Sequence, residues 1–149
     1  MNTGKLNNAV KEYNRINITS GVEEADPHRL IQMLMQGALE KIAIAKGYLA
    51  RGDVNGKGTH ISWAISIIEG LRASLNMDEG GEVAKNLEDL YEYMIRRLLR
   101  ANLENDSALL DEVSTLLQTV KAAWDEIPGI MQSPGTDEKS ATVDGQTGR

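Results

Sequence analysis

Cysteine and phenylalanine are absent from this chain of 149 residues, and proline occurs only at positions 27, 128 and 134. Without cysteine, neither a disulfide scaffold nor a thiolate metal site can form, which suits a reducing compartment. No apolar run approaches the ~18 residues of a membrane span, and residues 1–15 lack the apolar segment of a signal peptide. We therefore expect a cytoplasmic protein without membrane insertion.

Catalytic signatures are also missing. The chain has two histidines, His28 and His60, and neither has a partner at the spacing that places two ligands on one helix face. We predict both to be solvent-exposed. There is no Glu-x-x-His pair, no phosphate loop and no nucleophile elbow. We expect no enzyme activity, no cofactor and no metal. The net charge of -6 argues against general binding to nucleic acid or anionic lipid.

Long helices are predicted by the proline-free stretch between positions 27 and 128. Asp26-Pro27 is a helix start, with an N-cap acceptor before proline at the first helical position. Gly52 and Gly80-Gly81 are predicted to end or separate helices, and Asn105-Asp106-Ser107 to cap the last one. Apolar residues recur every three or four positions within each segment and predict one buried stripe per helix. The stripe of the second helix is Ile61, Ala64, Ile65, Ile68, Leu71 and Leu75, and that of the third is Val83, Leu87, Leu90, Met94 and Leu98. The predicted helices span residues 27–51, about 58–76, about 82–102 and 107–127.

Short connections make neighbouring helices run antiparallel. We therefore predict an all-α, antiparallel up-down four-helix bundle at residues 26–128. Residues 1–25 are predicted to form a short N-terminal arm or cap. Residues 129–149 contain little that could be buried, and we predict a disordered tail there.

More apolar residues are present than one core-facing stripe requires. Leu30, Met33 and Met35 widen the stripe of the first helix, and Leu99 widens that of the third. Such surplus residues either pack in a broad core or form a groove for the helices of a partner. The residues that we assign to a partner-binding groove are Ile31, Met35, Leu39, Ile42, Trp63, Ile67, Tyr91 and Ile95. With this assignment, Ile67→Asp or Met35→Asp would abolish binding and leave the helices intact.

A basic patch, Arg96, Arg97 and Arg100, lies late in the third predicted helix. Cations are favourable at the negative end of a helix dipole, which is one explanation of the patch. The alternative is contact with acidic residues of a partner.

Five blocks of sequence resemble the FliS family of flagellar secretion chaperones. The resemblance spans about residues 9–127 and includes a tryptophan at position 124. The blocks are DPHRLIQMLMQGAL at 26–39, IIEGLRASL at 67–75, GGEVAKNLEDLYEYM at 80–94, ANLEND at 101–106 and LDEV at 110–113. The arm contains fewer aromatic residues than is common in the family, and Trp63 and the polar tail are variations of this chain.

The resemblance implies a four-helix bundle with an N-terminal cap, whose client is the C-terminal region of flagellin. It also implies delivery to the cytosolic domain of the type III export gate. We further expect a flagellar regulatory protein as a partner and a weak homodimer when client-free. Ala9, Val10 and Tyr13 correspond to the arm that covers part of the groove and docks at the gate. The alternative is a self-associating structural or adaptor protein without a flagellin client.

Overall fold

The computed structural model describes residues 26–127, which form four α-helices and no strand. The helices are α1 (Pro27–Ala50), α2 (Val54–Ala73), α3 (Met77–Glu104) and α4 (Ser107–Glu126). The predicted all-α, four-helix class is confirmed. The predicted arm residues Ala9, Val10 and Tyr13 and the predicted tail lie outside the described residues.

Every helix begins at an aspartate or asparagine whose side chain accepts a hydrogen bond from a backbone N–H two or three residues further on. For α2 this residue is Asp53, which accepts from the N–H of Gly56 at 2.9 Å. Such a cap satisfies a donor that has no partner within the helix. It therefore starts α2 at Val54, and the predicted start near Gly58 is wrong by one turn. The four N-caps are Asp26, Asp53, Asn76 and Asp106.

The predicted break at Gly80-Gly81 lies inside α3 and not before it. Asn76 caps a first turn that begins at Met77, and Gly81 then interrupts the helix with φ 56° and ψ -130°. Because this positive φ is strained for residues with a Cβ atom, glycine permits the kink. The kink changes the helix phase, and Val83, predicted to belong to the buried stripe, is 61% exposed.

The four helices contact one another in a closed ring, in which α1 and α3 each pack against α2 and α4. His28 near the start of α1 contacts Trp124 near the end of α4. At the other end Lys46 of α1 pairs with Asp111 of α4 at 2.5 Å. Rising residue numbers in α1 are thus matched by falling numbers in α4, as expected for helices that run in opposite directions.

The core lies inside this ring and is built from aliphatic side chains with one tyrosine. In the predicted stripe of α2, Ile61, Ala64, Ile68 and Leu71 are at most 1% exposed, whereas Ile65 and Leu75 are only partly buried against the core. Burial of apolar surface on this scale is the main stabilising contribution to such a fold. The largest fully buried side chains are Tyr91, Leu34, Met35, Ile42, Ile61, Ile67, Ile68, Leu71, Met94, Leu98, Leu110 and Leu117.

A buried lysine joins the start of α2 to the end of α3. Lys57 is 3% exposed, and its ammonium donates to the carbonyl oxygen of Asn102 at 2.9 Å and to Oδ1 of Asn105 at 2.5 Å. Asn105 is the C-cap of α3 and adopts a left-handed conformation with φ 53°. The lysine thus places a positive charge at the negative end of α3 and satisfies a terminal carbonyl.

Replacing Lys57 by methionine is expected to lower the free energy of unfolding by about 1–3 kcal/mol, because buried acceptors at the end of α3 lose their donor. Chemical denaturation followed by circular dichroism measures the change. Lys46→Met is the matched control, because Lys46 is 48% exposed and a surface ion pair contributes about 1 kcal/mol at most. Equal losses in the two variants would contradict the capping role of Lys57.

Candidate partner-binding surfaces

Most residues of the predicted groove are part of the core of the described chain. Met35, Ile42, Ile67 and Tyr91 are at most 2% exposed, and Ile95 is 8% exposed. The breadth of the apolar stripes therefore reflects helices that bury wide faces within the ring. Ile31, Leu39 and Trp63 are the partly buried members, and they pack against the core. Binding by the predicted set stays a prediction, but in the folded chain five of its eight side chains have little accessible surface.

Three of the exposed large apolar side chains of α2 and α3 lie near the start of α2 and the end of α3. Val54 is 62% exposed, Leu99 is 54% exposed and Leu103 is 82% exposed. The bond between Lys57 and the carbonyl of Asn102 brings the start of α2 to the end of α3, so the three residues lie at the same end of the protein. Leu99 and Leu103 are four residues apart and share a helix face. We refer to Val54, Leu99 and Leu103 as the α2–α3 apolar surface.

An open groove of about 430 Å³ runs between α1 and α4. Leu39 and Ala43 of α1 and Ala122 of α4 supply its apolar lining, and the alanines leave room beside the helix backbones. Leu39 is the residue of the predicted groove that lines it. The polar and charged side chains of the groove are Gln36, Glu40, Gln118, Lys121 and Asp125.

His28 and Trp124 form a clasp that joins the start of α1 to the end of α4. Their rings stack with centroids 4.9 Å apart. His28 Nε2 lies 2.8 Å from the carbonyl oxygen of Trp124, and Trp124 Nε1 donates to the carbonyl oxygen of His28 at 3.1 Å. The prediction that His28 is solvent-exposed is wrong in part, because this side chain is half-buried. The spacing of histidines within one helix contains no information about contacts with the end of another helix.

Replacing His28 by alanine is expected to lower the free energy of unfolding by about 1–2 kcal/mol, since the variant loses a ring contact and a partly buried hydrogen bond. Thermal denaturation measures the loss. Arg29→Ala provides the control, because the Arg29 side chain is exposed and makes no contact of this kind. If His28→Ala and Arg29→Ala both have the melting temperature of the unmodified chain, the contact between His28 and Trp124 does not stabilise the fold.

Asp125 of α4 makes a further contact with α1 close to the His28–Trp124 pair. It accepts hydrogen bonds from Lys121 at 2.9 Å and from Gln32 at 2.7 Å. These bonds, with that of Lys121 the stronger influence, hold the pKa of Asp125 below its usual value, and the charge of His28 adds to the effect. Stability from this group is present above the ordinary carboxyl pKa and is lost as the pH falls through the lowered value.

Aromatic and cationic side chains of α1, of α2 and of the connection between them pack together on one side of the protein. We refer to Lys41, Tyr48, Arg51, His60 and Trp63 as the α1–α2 face. His60 lies between the rings of Tyr48 and Trp63, at centroid distances of 5.2 Å and 5.8 Å. The predicted exposure of His60 is therefore wrong in part, because this side chain is half-buried. Arg51 lies over Tyr48, and Lys41 lies over Trp63. Tyr48 also packs so closely on Gly56 that an added Cβ would come within 2.5 Å of its ring.

Each arginine of the predicted basic patch has a carboxylate partner within its own chain. Arg96 pairs with Glu92 at 3.5 Å and Arg100 with Glu104 at 3.0 Å, both along α3. Arg97 reaches across to Glu112 of α4 at 2.9 Å, and Tyr93 donates to the same carboxylate. The bonds from Tyr93 and then Arg97 lower the pKa of Glu112. The patch therefore links α3 to α4 in addition to any dipole effect.

Two kinds of feature are absent from the part of the chain that the structure describes. Within 26–127, no three histidine, aspartate or glutamate side chains cluster closely enough to hold a metal ion. None of the four described helices combines the length and the apolar character needed to cross a membrane. What these residues do present is the α2–α3 apolar surface, the α1–α4 groove and the aromatic α1–α2 face.

Known proteins resemble this chain over most of its length. The family model of the flagellar protein FliS matches residues 9–131. The flagellar secretion chaperone FliSB of Pseudomonas aeruginosa is 54% identical over 119 residues, which cover 80% of this chain and 94% of that protein. FliS of Salmonella typhimurium is 47% identical over 119 residues, 79% of this chain and 88% of the relative. FliS of Vibrio cholerae is 37% identical over 123 residues, which cover 83% of this chain and 90% of the relative.

Proposed function

We propose that this chain, which belongs to the FliS family of flagellar secretion chaperones, binds the C-terminal region of flagellin before export. Binding would take place in the cytoplasm and would keep flagellin monomers from polymerising early. The chaperone would then deliver its client to the cytosolic domain of the flagellar type III export gate. We also propose that a flagellar regulatory protein is a further partner.

The observation that supports a client most directly is the α2–α3 apolar surface. Leu103 leaves 82% of its surface in contact with water, and Leu99 and Val54 leave more than half. Apolar side chains grouped at one end of a protein are typical of interaction sites. An amphipathic helix could bury them in the way that helices bind grooves in other complexes.

The proposed mechanism is protection by mass action. While the client's apolar segments are buried against the chaperone, they are not available to other flagellin monomers. Ordering a disordered segment costs about 2–5 kcal/mol or more of the gross interaction free energy, which limits the net affinity. A large contact can therefore bind specifically and still release its client at the export gate without nucleotide.

Ala9, Val10 and Tyr13 keep their proposed role in the arm. We propose that they cover part of the client surface when flagellin is absent and contact the export gate. The variants Ala9→Glu, Val10→Ala and Tyr13→Ala, tested for binding to the gate's cytosolic domain with and without flagellin, would measure both parts of the role.

The test of the proposed function is sedimentation of the full chain with a flagellin C-terminal fragment. A one-to-one complex at micromolar concentration is the expected result, with the fragment held back from polymerising. If the fragment sediments separately and the chain forms a stable dimer instead, the self-associating alternative is the better description.

A further inference from the structure

Two hydrogen-bond donors on the α1–α2 face have no acceptor. Lys41 is 6% exposed, and its ammonium lies 4.1 Å from the ring centroid of Trp63. Among the hydrogen bonds and ion pairs of residues 26–127, none involves this ammonium. The indole N–H of Trp63 is buried and also has no hydrogen-bond partner. Both unpaired donors therefore belong to one pair of touching side chains.

Such an arrangement is unfavourable in a closed protein. The face of an aromatic ring gives the Lys41 ammonium only part of the stabilisation that a carboxylate partner would give it. A buried N–H group without an acceptor adds to the unfavourable free energy. Because buried donors in native proteins are nearly always paired, the unpaired indole N–H of Trp63, beside an ammonium that has no carboxylate partner, indicates a site that an anionic group completes.

The charge distribution indicates which ligand would complete it. Helix α1 contains three cationic residues and one carboxylate, and α2 contains two and one, whereas α3 and α4 together contain eleven carboxylates and five cationic residues. The carboxylates of α1 and α2 are engaged elsewhere. Glu40 borders the α1–α4 groove, and Glu69 pairs with Arg72 at 3.8 Å. On the α1–α2 face itself, the cations are Lys41 and Arg51, which lie over aromatic rings and make no ion pair within residues 26–127, so this face has a local excess of positive charge.

We propose that Lys41 and Trp63 form a binding site for a carboxylate of the client polypeptide. This inference rests on the proposed function, since it supposes that a client binds. The ammonium of Lys41 supplies the charge and one hydrogen bond, and the indole N–H of Trp63 supplies a second. The indole nitrogen is covered in the client-free chain, so binding moves Trp63 or its neighbours slightly.

His60 forms one wall of the site. Its Nδ1 lies 2.9 Å from the carbonyl oxygen of Gly56, an acceptor, so this nitrogen bears the proton. The bond fixes the orientation of the ring beside Trp63. Because Tyr48 packs on the far side of His60, the indole has limited freedom, and a bound carboxylate would meet a partly ordered site.

Isothermal titration with a flagellin C-terminal fragment tests the site. Lys41→Met keeps the length of the side chain and removes the charge, and Trp63→Phe keeps a ring and removes the N–H. We expect about 10- to 100-fold weaker binding for Lys41→Met, since charged hydrogen bonds are the stronger class, and a smaller loss of about 3- to 10-fold for Trp63→Phe. The double variant should lose less than the product of both, because the two donors share one acceptor.

Lys46→Met is the matched control, because it removes an exposed cation of the same helix that already pairs with Asp111. Its affinity should change less than twofold. Binding by the unmodified chain should weaken with added salt, and Lys41→Met should reduce that dependence. Circular dichroism of every variant establishes that it is folded.

The indole N–H resonance of Trp63 in an NMR spectrum tests the site without any change to Lys41. This resonance is assigned as the one that disappears in Trp63→Phe. When the fragment binds, this resonance should move downfield as the N–H gains an acceptor. Fragments with an amide at the chain end, or with one acidic residue at a time changed to its amide, reveal which carboxylate is bound. The fragment that lacks the bound carboxylate should bind the unmodified chain and Lys41→Met with equal affinity.

The outcomes separate this site from the proposed function. If the unmodified chain does not bind the fragment, the flagellin proposal itself fails. If it binds, but Lys41→Met and Trp63→Phe bind as tightly, the carboxylate site is wrong and the flagellin proposal stands. An unmoved indole resonance, or equal loss of affinity with every amide fragment, also overturns the site.

Discussion

Replacing Ile67 by aspartate is expected to unfold the protein, and not to remove a binding contact alone. Ile67 is 0% exposed and belongs to the set of largest fully buried side chains. A carboxylate at this position would be buried without a partner and would also displace apolar packing. We expect a loss of more than about 4 kcal/mol in the free energy of unfolding. That is a large share of the roughly 5–15 kcal/mol that stabilises a typical domain.

Circular dichroism and chemical denaturation of Ile67→Asp measure this loss, and flagellin binding is measured in parallel. Ser66→Asp is the control, since Ser66 is the neighbouring residue and is exposed, and its effect should stay within about 0.5 kcal/mol. Met35→Asp, at 1% exposure, should behave as Ile67→Asp does. A folded Ile67→Asp variant that has lost binding would instead support the groove that the sequence predicted.

The helices were predictable because their signals are local. Asp26 before Pro27, and Asp106 before Ser107, act on backbone groups within the next few residues, so the sequence specifies these starts directly. Asp53 provided the same kind of signal for α2, but the glycines at 56 and 58 concealed it. Gly81 misled the prediction of α3 for a physical reason. Glycine permits a break either between helices or within one, and Asn76 decided which.

The candidate surfaces were harder to predict, because periodicity shows how wide an apolar stripe is but not which flank a neighbouring helix covers. Ile67 and Leu99 both lie beside a main stripe, yet Ile67 is fully buried and Leu99 is 54% exposed. Leu103, four residues after Leu99, was overlooked although the spacing provided a signal. The pairings of His28 with Trp124 and of Lys41 with Trp63 depend on the packing of different helices, which no local pattern encodes.

Contacts between helices also explain why many of the surplus apolar residues are buried and not exposed to solvent. The contact between α1 and α2 is the most extensive of the four, so the wide apolar faces of these two helices largely bury each other. At the far end of α3 the helix continues to Glu104, one turn beyond Leu99, while α2 begins only at Val54. Exposed apolar side chains thus gather where two helix ends meet.

Changing Leu99 and Leu103 together to glutamate is expected to abolish flagellin binding and to leave the fold intact. In the client-free chain both side chains are mostly in water, so the double variant should unfold within about 1 kcal/mol of the unmodified chain. In the proposed complex each leucine would contribute about 1.5–3 kcal/mol on burial. Losing both, and adding two carboxylates that would need to be desolvated, should weaken binding at least about 100-fold.

Titration of the flagellin fragment measures this loss, and denaturation measures stability in the same preparations. Thr115→Glu with Thr119→Glu is the matched control, because it adds two carboxylates four residues apart on the exposed face of α4 and so reproduces the change in net charge. The control should bind normally, since these threonines lie outside the α2–α3 apolar surface. If both double variants lose affinity equally, general charge repulsion is responsible, and if neither does, the client binds a different face of the protein.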